Sequence, residues 1–102
     1  MARTPTFVHL HNHSQFSLLD GASRLEELVE QAALFEMPAL AITDHGNLFA
    51  AIPFFKAAAA RGIKPILGCE TYIAPGARTD RTPAGGARKP YHHLLLLARD
   101  QE

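Results

Sequence analysis

Apolar positions fall into short runs set between polar clusters. Positions 7–11 (FVHLH) form a short strand-like run. Over 24–35, Leu25, Leu28, Val29 and Ala32 recur at spacings of three and four, the period of a helix with one buried face. Ser23 is placed to cap that helix, Glu26 completes a capping-box pattern, and Pro38 lies past the end. Positions 39–43 (ALAIT) form a second strand. Positions 47–60, rich in Ala and Phe, predict a second helix stopping near Gly62. Pro53 fits the first turn of a helix starting at Ile52, where its missing N–H costs little. Positions 64–67 form a third strand, which 70–73 extends or follows. Gly, Pro, Ala, Arg and Thr dominate 75–90, an expected exposed loop. A fourth strand, nearly all leucine, spans 93–98.

Strand, helix, strand, helix, strand, loop, strand is the order of parallel βα repeats. The middle strands are apolar without alternation, as in a parallel sheet covered by helices. The expected class is α/β, with an open sheet and a barrel both compatible. The chain stops at LLLLARDQE, just after a strand that needs covering on both faces. A truncated domain is therefore expected, with an unpaired edge and a tendency to aggregate.

Composition narrows the reading modestly. Lys plus Arg and Asp plus Glu number 10 each, so no excess of positive charge marks a nucleic-acid surface. The single cysteine, Cys69, excludes an intramolecular disulfide and reads as a small core residue rather than a soft ligand. The start lacks the apolar region of a signal peptide, and no run reaches the roughly 18 apolar residues that cross a bilayer. A cytoplasmic chain without a membrane partner is expected. There is no P-loop and no GxGxxG, so a nucleotide cofactor has no support.

The chemistry lies near the strand ends. His9, His11 and His13 alternate, which on an extended segment puts them on one face. Asp20 follows in SLLDG, Asp44 and His45 follow the second strand, and Glu70 follows the third. In βα repeats such ends converge on one rim. Each group alone has an ordinary explanation, as a solvated face, a turn or a cap. Together they point to a metal site of imidazoles and carboxylates, suited to Zn, Mn or Fe, in which carboxylates can bridge ions. His92 and His93 should face opposite ways, so a regular strand sends at most one into the site. Arg78, Arg81, Arg88 and Lys89 could touch a phosphate backbone, but without interleaved aromatics they read as a solvated loop.

FVHLHNHSQFSLLDGA, ALAITDHGNLF, KPILGCETYIAP and HHLLLLARD resemble, in order and spacing, the polymerase-and-histidinol-phosphatase (PHP) domains that open the alpha subunits of bacterial replicative DNA polymerases. The likeness runs through essentially the whole chain. It implies the first part of a distorted (β/α)7 barrel, with residues 1–102 as an incomplete N-terminal portion and the polymerase core outside it. It implies metal ligands at His11, His13, Asp20, His45, Glu70 and His93, with His9 and Asp44 orienting them through hydrogen bonds. His93 is awkward, because it opens a strand instead of ending one. The resemblance also implies up to three divalent ions, Zn or Mn, in the complete domain, and Mg for the polymerase. It implies phosphoester hydrolysis by water without a protein nucleophile, including 3′–5′ exonuclease action. The implied partners are DNA, the polymerase core, the sliding clamp, the clamp loader and an exonuclease subunit. The fragment alone is expected to be inactive. A stand-alone phosphatase acting on a monoester such as histidinol phosphate, and a non-catalytic metal-stabilised platform, are the alternatives.

Overall fold

The computed structural model describes residues 7–18, 20–79 and 91–101. Helix α1 (Leu25–Leu34) buries Leu25, Val29 and Ala32, the stripe its periodicity predicts. Arg24, not Ser23, occupies the N-cap, and no side chain caps the helix. The Ser23 carbonyl instead accepts the Gln15 N–H at 2.8 Å, bridging Ser14 and Ser23, so the expected capping box does not form. At the other end Glu36 takes φ 55° and Met37 N–H bonds Ala32 O at 2.9 Å, which turns the chain out of the helix.

Strand β1 (Ala39–Ile42) is buried at all four positions. Helix α2 (Ala51–Ala60) holds Pro53 in its first turn, where an N–H would have no intrahelical acceptor. Phe54 and Ala58 of α2 pack with Leu25 and Val29 of α1, and with Leu40, Ile42 and Ile63, into one core. Phe54 is completely buried, and truncating it to Ala would cost about 3–5 kcal/mol.

Strand β2 (Lys64–Ile73) is one continuous element, not two short runs. It pairs parallel with β1, Ala39 opposite Lys64, and the Pro38 carbonyl accepts the Lys64 N–H at 3.0 Å. Strand β3 (His92–Leu97) pairs antiparallel with β2, Tyr72 opposite His93, giving the order β1-β2-β3. The expectation of parallel repeats therefore holds for β1 and β2 and fails for β3. A parallel return needs a crossover, normally a helix with an apolar stripe, and the intervening Gly/Pro/Arg-rich sequence has none. Gly68 permits close passage: a Cβ there would lie 2.6 Å from Leu96 O and 2.9 Å from Thr43 Cγ2. Leu94, Leu96 and Leu97 are exposed.

The predicted strand at 7–11 joins no ladder. Two backbone bonds hold this segment beside β1, from Ala41 N–H to His9 O at 3.0 Å and from Thr43 N–H to Asn12 O at 2.9 Å. The Asn12 amide donates to Ala41 O at 3.0 Å, taking up an acceptor that regular pairing would use. Among the described residues no helix is long and apolar enough to cross a membrane.

Candidate metal centre

The C-terminal end of β1, the middle of β2 and the start of β3 meet on one rim. Glu70 N–H bonds Asp44 O at 3.0 Å, and Gly46 N–H bonds Glu70 O at 3.1 Å, locking the Asp44–Gly46 turn against β2. Because β3 runs backwards, Leu97 pairs with Gly68 beside the end of β1, and its first residues, His92 and His93, pair with Ile73 and Tyr72 beyond that end. His93 can therefore open a strand and still reach the same rim.

Glu70 is the hub. Its Oε2 lies 2.9 Å from His11 Nε2, 2.5 Å from His13 Nε2 and 3.3 Å from His45 Nε2. Its Oε1 lies 3.1 Å from His93 Nδ1. Asp20 is the second carboxylate: Oδ2 is 3.0 Å from His13 Nδ1 and 2.7 Å from His45 Nε2. His13 is thus clasped between two carboxylates and can donate to both only as an imidazolium. Glu70 Oε2 faces more imidazole nitrogens than a carboxylate oxygen has lone-pair sites. A cation among these atoms would accept their lone pairs together.

Three overlapping groups satisfy that condition: His11, His13 and Glu70; His13, Asp20 and His45; and His45, Glu70 and His93. Within each group the candidate ligand atoms lie within 4.8 Å of one another. The donor chemistry fits a divalent ion with mixed nitrogen and oxygen preference. The buried Nδ1 of His45 has no partner among the described residues, so that ring's polar contacts run through Nε2 and the two carboxylates.

Electrostatics reinforce the arrangement. Burial acts to raise the Glu70 pKa, but hydrogen bonds from His11, His13 and His93, with the charge of His45, outweigh it and hold the carboxyl at about 2. The Ser17 hydroxyl lowers the Asp20 pKa; burial opposes this, and His13 and His45 add to it.

Other residues hold the ligands in place. Asp44, almost wholly buried, accepts the Ser14 N–H at 2.5 Å and the Ser14 hydroxyl at 2.7 Å. It fixes the turn beside His13 and contacts no ligand imidazole among the described contacts. Ser17 donates to Asp20 Oδ1 at 2.7 Å and accepts the His45 N–H at 3.2 Å. Neither serine stood out in the sequence, although Ser17 three residues before Asp20 is a spacing that permits a local side-chain bond. Tyr72, also unforeseen, stacks near His45 with ring centroids 6.1 Å apart and planes 5° apart.

His9 does not join its two neighbours. Its ring packs edge-on to Phe7 at 4.7 Å and lines a hollow with Leu28 and Phe35 on the α1 side. Without a regular pleat, alternation no longer aligns the three histidines. Arg78 is exposed in a turn after β2, and Arg81, Arg88 and Lys89 lie outside the described residues. Cys69 is only partly buried, its thiol 3.5 Å from Asp44 O.

The geometry agrees with comparisons to known proteins. A family model described as the PHP domain matches residues 9–102. The DNA polymerase III subunit alpha of Thermus aquaticus is 53% identical over 96 residues, covering 92% of this chain and 8% of the relative. That of Treponema pallidum is 52% identical over 101 residues, covering 99% and 8%. The chain thus spans about 8% of the length of these curated relatives. A crystal structure described as a metal-dependent phosphoesterase, from Bifidobacterium adolescentis, superposes with a TM-score of 0.61 at 29% identity, covering 71% of this chain and 25% of that one.

Proposed function

The chain belongs to the PHP domain family, and on that premise we propose that it is the N-terminal portion of the PHP domain of a bacterial replicative DNA polymerase alpha subunit. Its role there is to supply the opening ligands of a phosphodiester-hydrolysing metal centre. The observation that carries this reading is the convergence of His11, His13, Asp20, His45, Glu70 and His93 into three overlapping ligand groups. On this reading the sheet is part of a seven-unit barrel, and the rest of the polypeptide completes both barrel and ligand set. Three groups sharing His13, His45 and Glu70 support up to three ions, with Zn or Mn favoured by the imidazoles. Mg would serve the polymerase core. DNA, that core, the sliding clamp, the clamp loader and an exonuclease subunit are the partners the reading implies, in the cytoplasm.

Bound divalent ions would supply Lewis-acid polarisation of a phosphate ester and acidification of water. The chain's own residues do the rest. Glu70 presents one oxygen to three imidazoles and the other to a fourth, so it can bridge neighbouring positions. Asp20 holds the other ring nitrogen of His13 and shares His45 Nε2 with Glu70. The nearby hydroxyls are already committed, Ser14 to Asp44 and Ser17 to Asp20, and the Cys69 thiol faces a carbonyl. On this reading water is the nucleophile.

The test uses the full-length gene product, stripped of metal and reloaded with Mn or Zn. Hydrolysis of single-stranded DNA from the 3′ end is compared with that of His13→Ala and Glu70→Ala. Metal-dependent hydrolysis lost in both variants, with polymerisation retained, is the expected result. Stoichiometric metal without hydrolysis would leave a structural platform in place of an enzyme.

A further inference from the structure

Strand periodicity puts more than ligands on the rim. Glu70 and Tyr72 are two residues apart on β2, so both side chains face the same side of the sheet. Tyr72 pairs with His93 across the antiparallel ladder, and paired residues share a face. Tyr91, two residues before His93, lies beside them: its ring centroid is 4.4 Å from that of Tyr72 and 5.8 Å from that of His93.

Tyr72 is seated with little freedom. Its ring lies over Gly46, where a Cβ would come within 2.7 Å of Cε2. Gly46 has φ +63°, so the turn after His45 both requires glycine and leaves room for the ring. Its centroid is 5.4 Å from that of His93 and, with parallel planes, 6.1 Å from that of His45. Yet Tyr72 remains 41% exposed, more than packing alone would leave on a tyrosine serving as core. A partly open aromatic pair thus adjoins two candidate ligands without supplying a ligand itself.

We propose that Tyr72 and Tyr91 form a stacking platform for the nucleobase next to the phosphodiester that the metal centre cleaves. The proposal rests on the phosphoesterase reading above and names its substrate as a base-bearing single strand. A base is one sugar away from its phosphate, so a phosphate held among the histidines places its base beside them. Tyrosine stacks on any base, which gives binding without sequence preference.

The experiment uses the full-length gene product and two single-stranded oligonucleotides, one ending in 3′ adenosine and one ending in a 3′ abasic residue. Wild type should show a KM about tenfold lower for the adenosine end, within the range of one base–aromatic stack. Tyr72→Leu should erase that difference by raising KM for the adenosine end, and Tyr72→Phe should retain it. Tyr91→Leu should give a smaller loss of the same kind. Equal KM values for the two ends in wild type, or equal losses on both ends in Tyr72→Leu, would overturn the platform. A second readout is independent of turnover: quenching of a 3′-terminal 2-aminopurine, joined through a hydrolysis-resistant phosphorothioate linkage, on binding to metal-loaded protein with all its ligands intact. Quenching that disappears when Tyr72→Leu is added supports the platform even if wild type hydrolyses neither substrate, an outcome that would sink only the phosphoesterase reading. Absence of quenching overturns the platform even where hydrolysis is robust.

Discussion

Asp44 and Glu70 are buried carboxylates joined by one backbone hydrogen bond, yet their environments differ in kind. Asp44 is matched to donors that stay protonated at any ordinary pH, the Ser14 amide and hydroxyl. Glu70 is surrounded by imidazoles, which can donate or coordinate according to protonation and to what lies between them. A carboxylate saturated by fixed donors builds a turn. One crowded by titratable nitrogens is poised for a cation. Burial alone does not separate the two, and the identity of the neighbours does.

The largest expected effect comes from removing the hub. Glu70→Gln should lower affinity for Mn or Zn by more than about 100-fold, beyond the range seen for residues that only orient ligands. Isothermal titration of the metal-free full-length protein would show it, and near-wild-type affinity would mean that Glu70 is not the shared ligand. Asp44→Asn should reverse the profile. It replaces a charged acceptor buried against two donors, at a cost of about 2–4 kcal/mol in local stability. Hydrogen exchange over 14–24 should speed up accordingly, while metal affinity falls only about tenfold. If exchange is unchanged and affinity collapses, Asp44 is acting as a ligand.

Acidification gives a third contrast. The Glu70 carboxyl sits at about 2 in the folded chain against 4.5 for the ordinary group. A depressed pKa contributes stability that is complete above about 4.5 and is lost as pH falls toward about 2. Metal-free wild type should therefore lose protection around β2 more steeply over that window than Glu70→Gln, as read by hydrogen exchange after equilibration at each pH. Matching slopes would mean that the imidazoles do not stabilise the Glu70 anion. The smallest effect is expected from Ser17→Ala. Asp20 loses the hydroxyl that most lowers its pKa, and metal affinity should drop by no more than about tenfold. A larger loss would show that Ser17 holds the whole His45 turn through its bond to the His45 N–H.

The elements were unevenly legible. Helix α1 and strand β1 follow from local pattern, because a stripe at spacings of three and four, or a short unbroken apolar run, has few ways to be buried. The cap was misplaced because the helix starts one residue later than the capping pattern implies, with Arg24 at the N-cap and the Ser23 backbone bridged to Ser14. The first strand was over-read because the Asn12 amide takes up a carbonyl of β1. Ser14 and Ser17 went unnoticed because hydroxyls acquire a role only from the carboxylates that folding brings to them.

Residue types and their order were enough to suggest a metal site of histidines and carboxylates on the rim of an α/β sheet, since such ligands are chemically distinctive and strand ends converge. Strand direction was not legible. His93 looked misplaced at the start of a strand, and it reaches the rim because β3 runs antiparallel to β2. A leucine-rich run carries the same apolar signal in either direction, and only pairing with a neighbouring strand chooses between them.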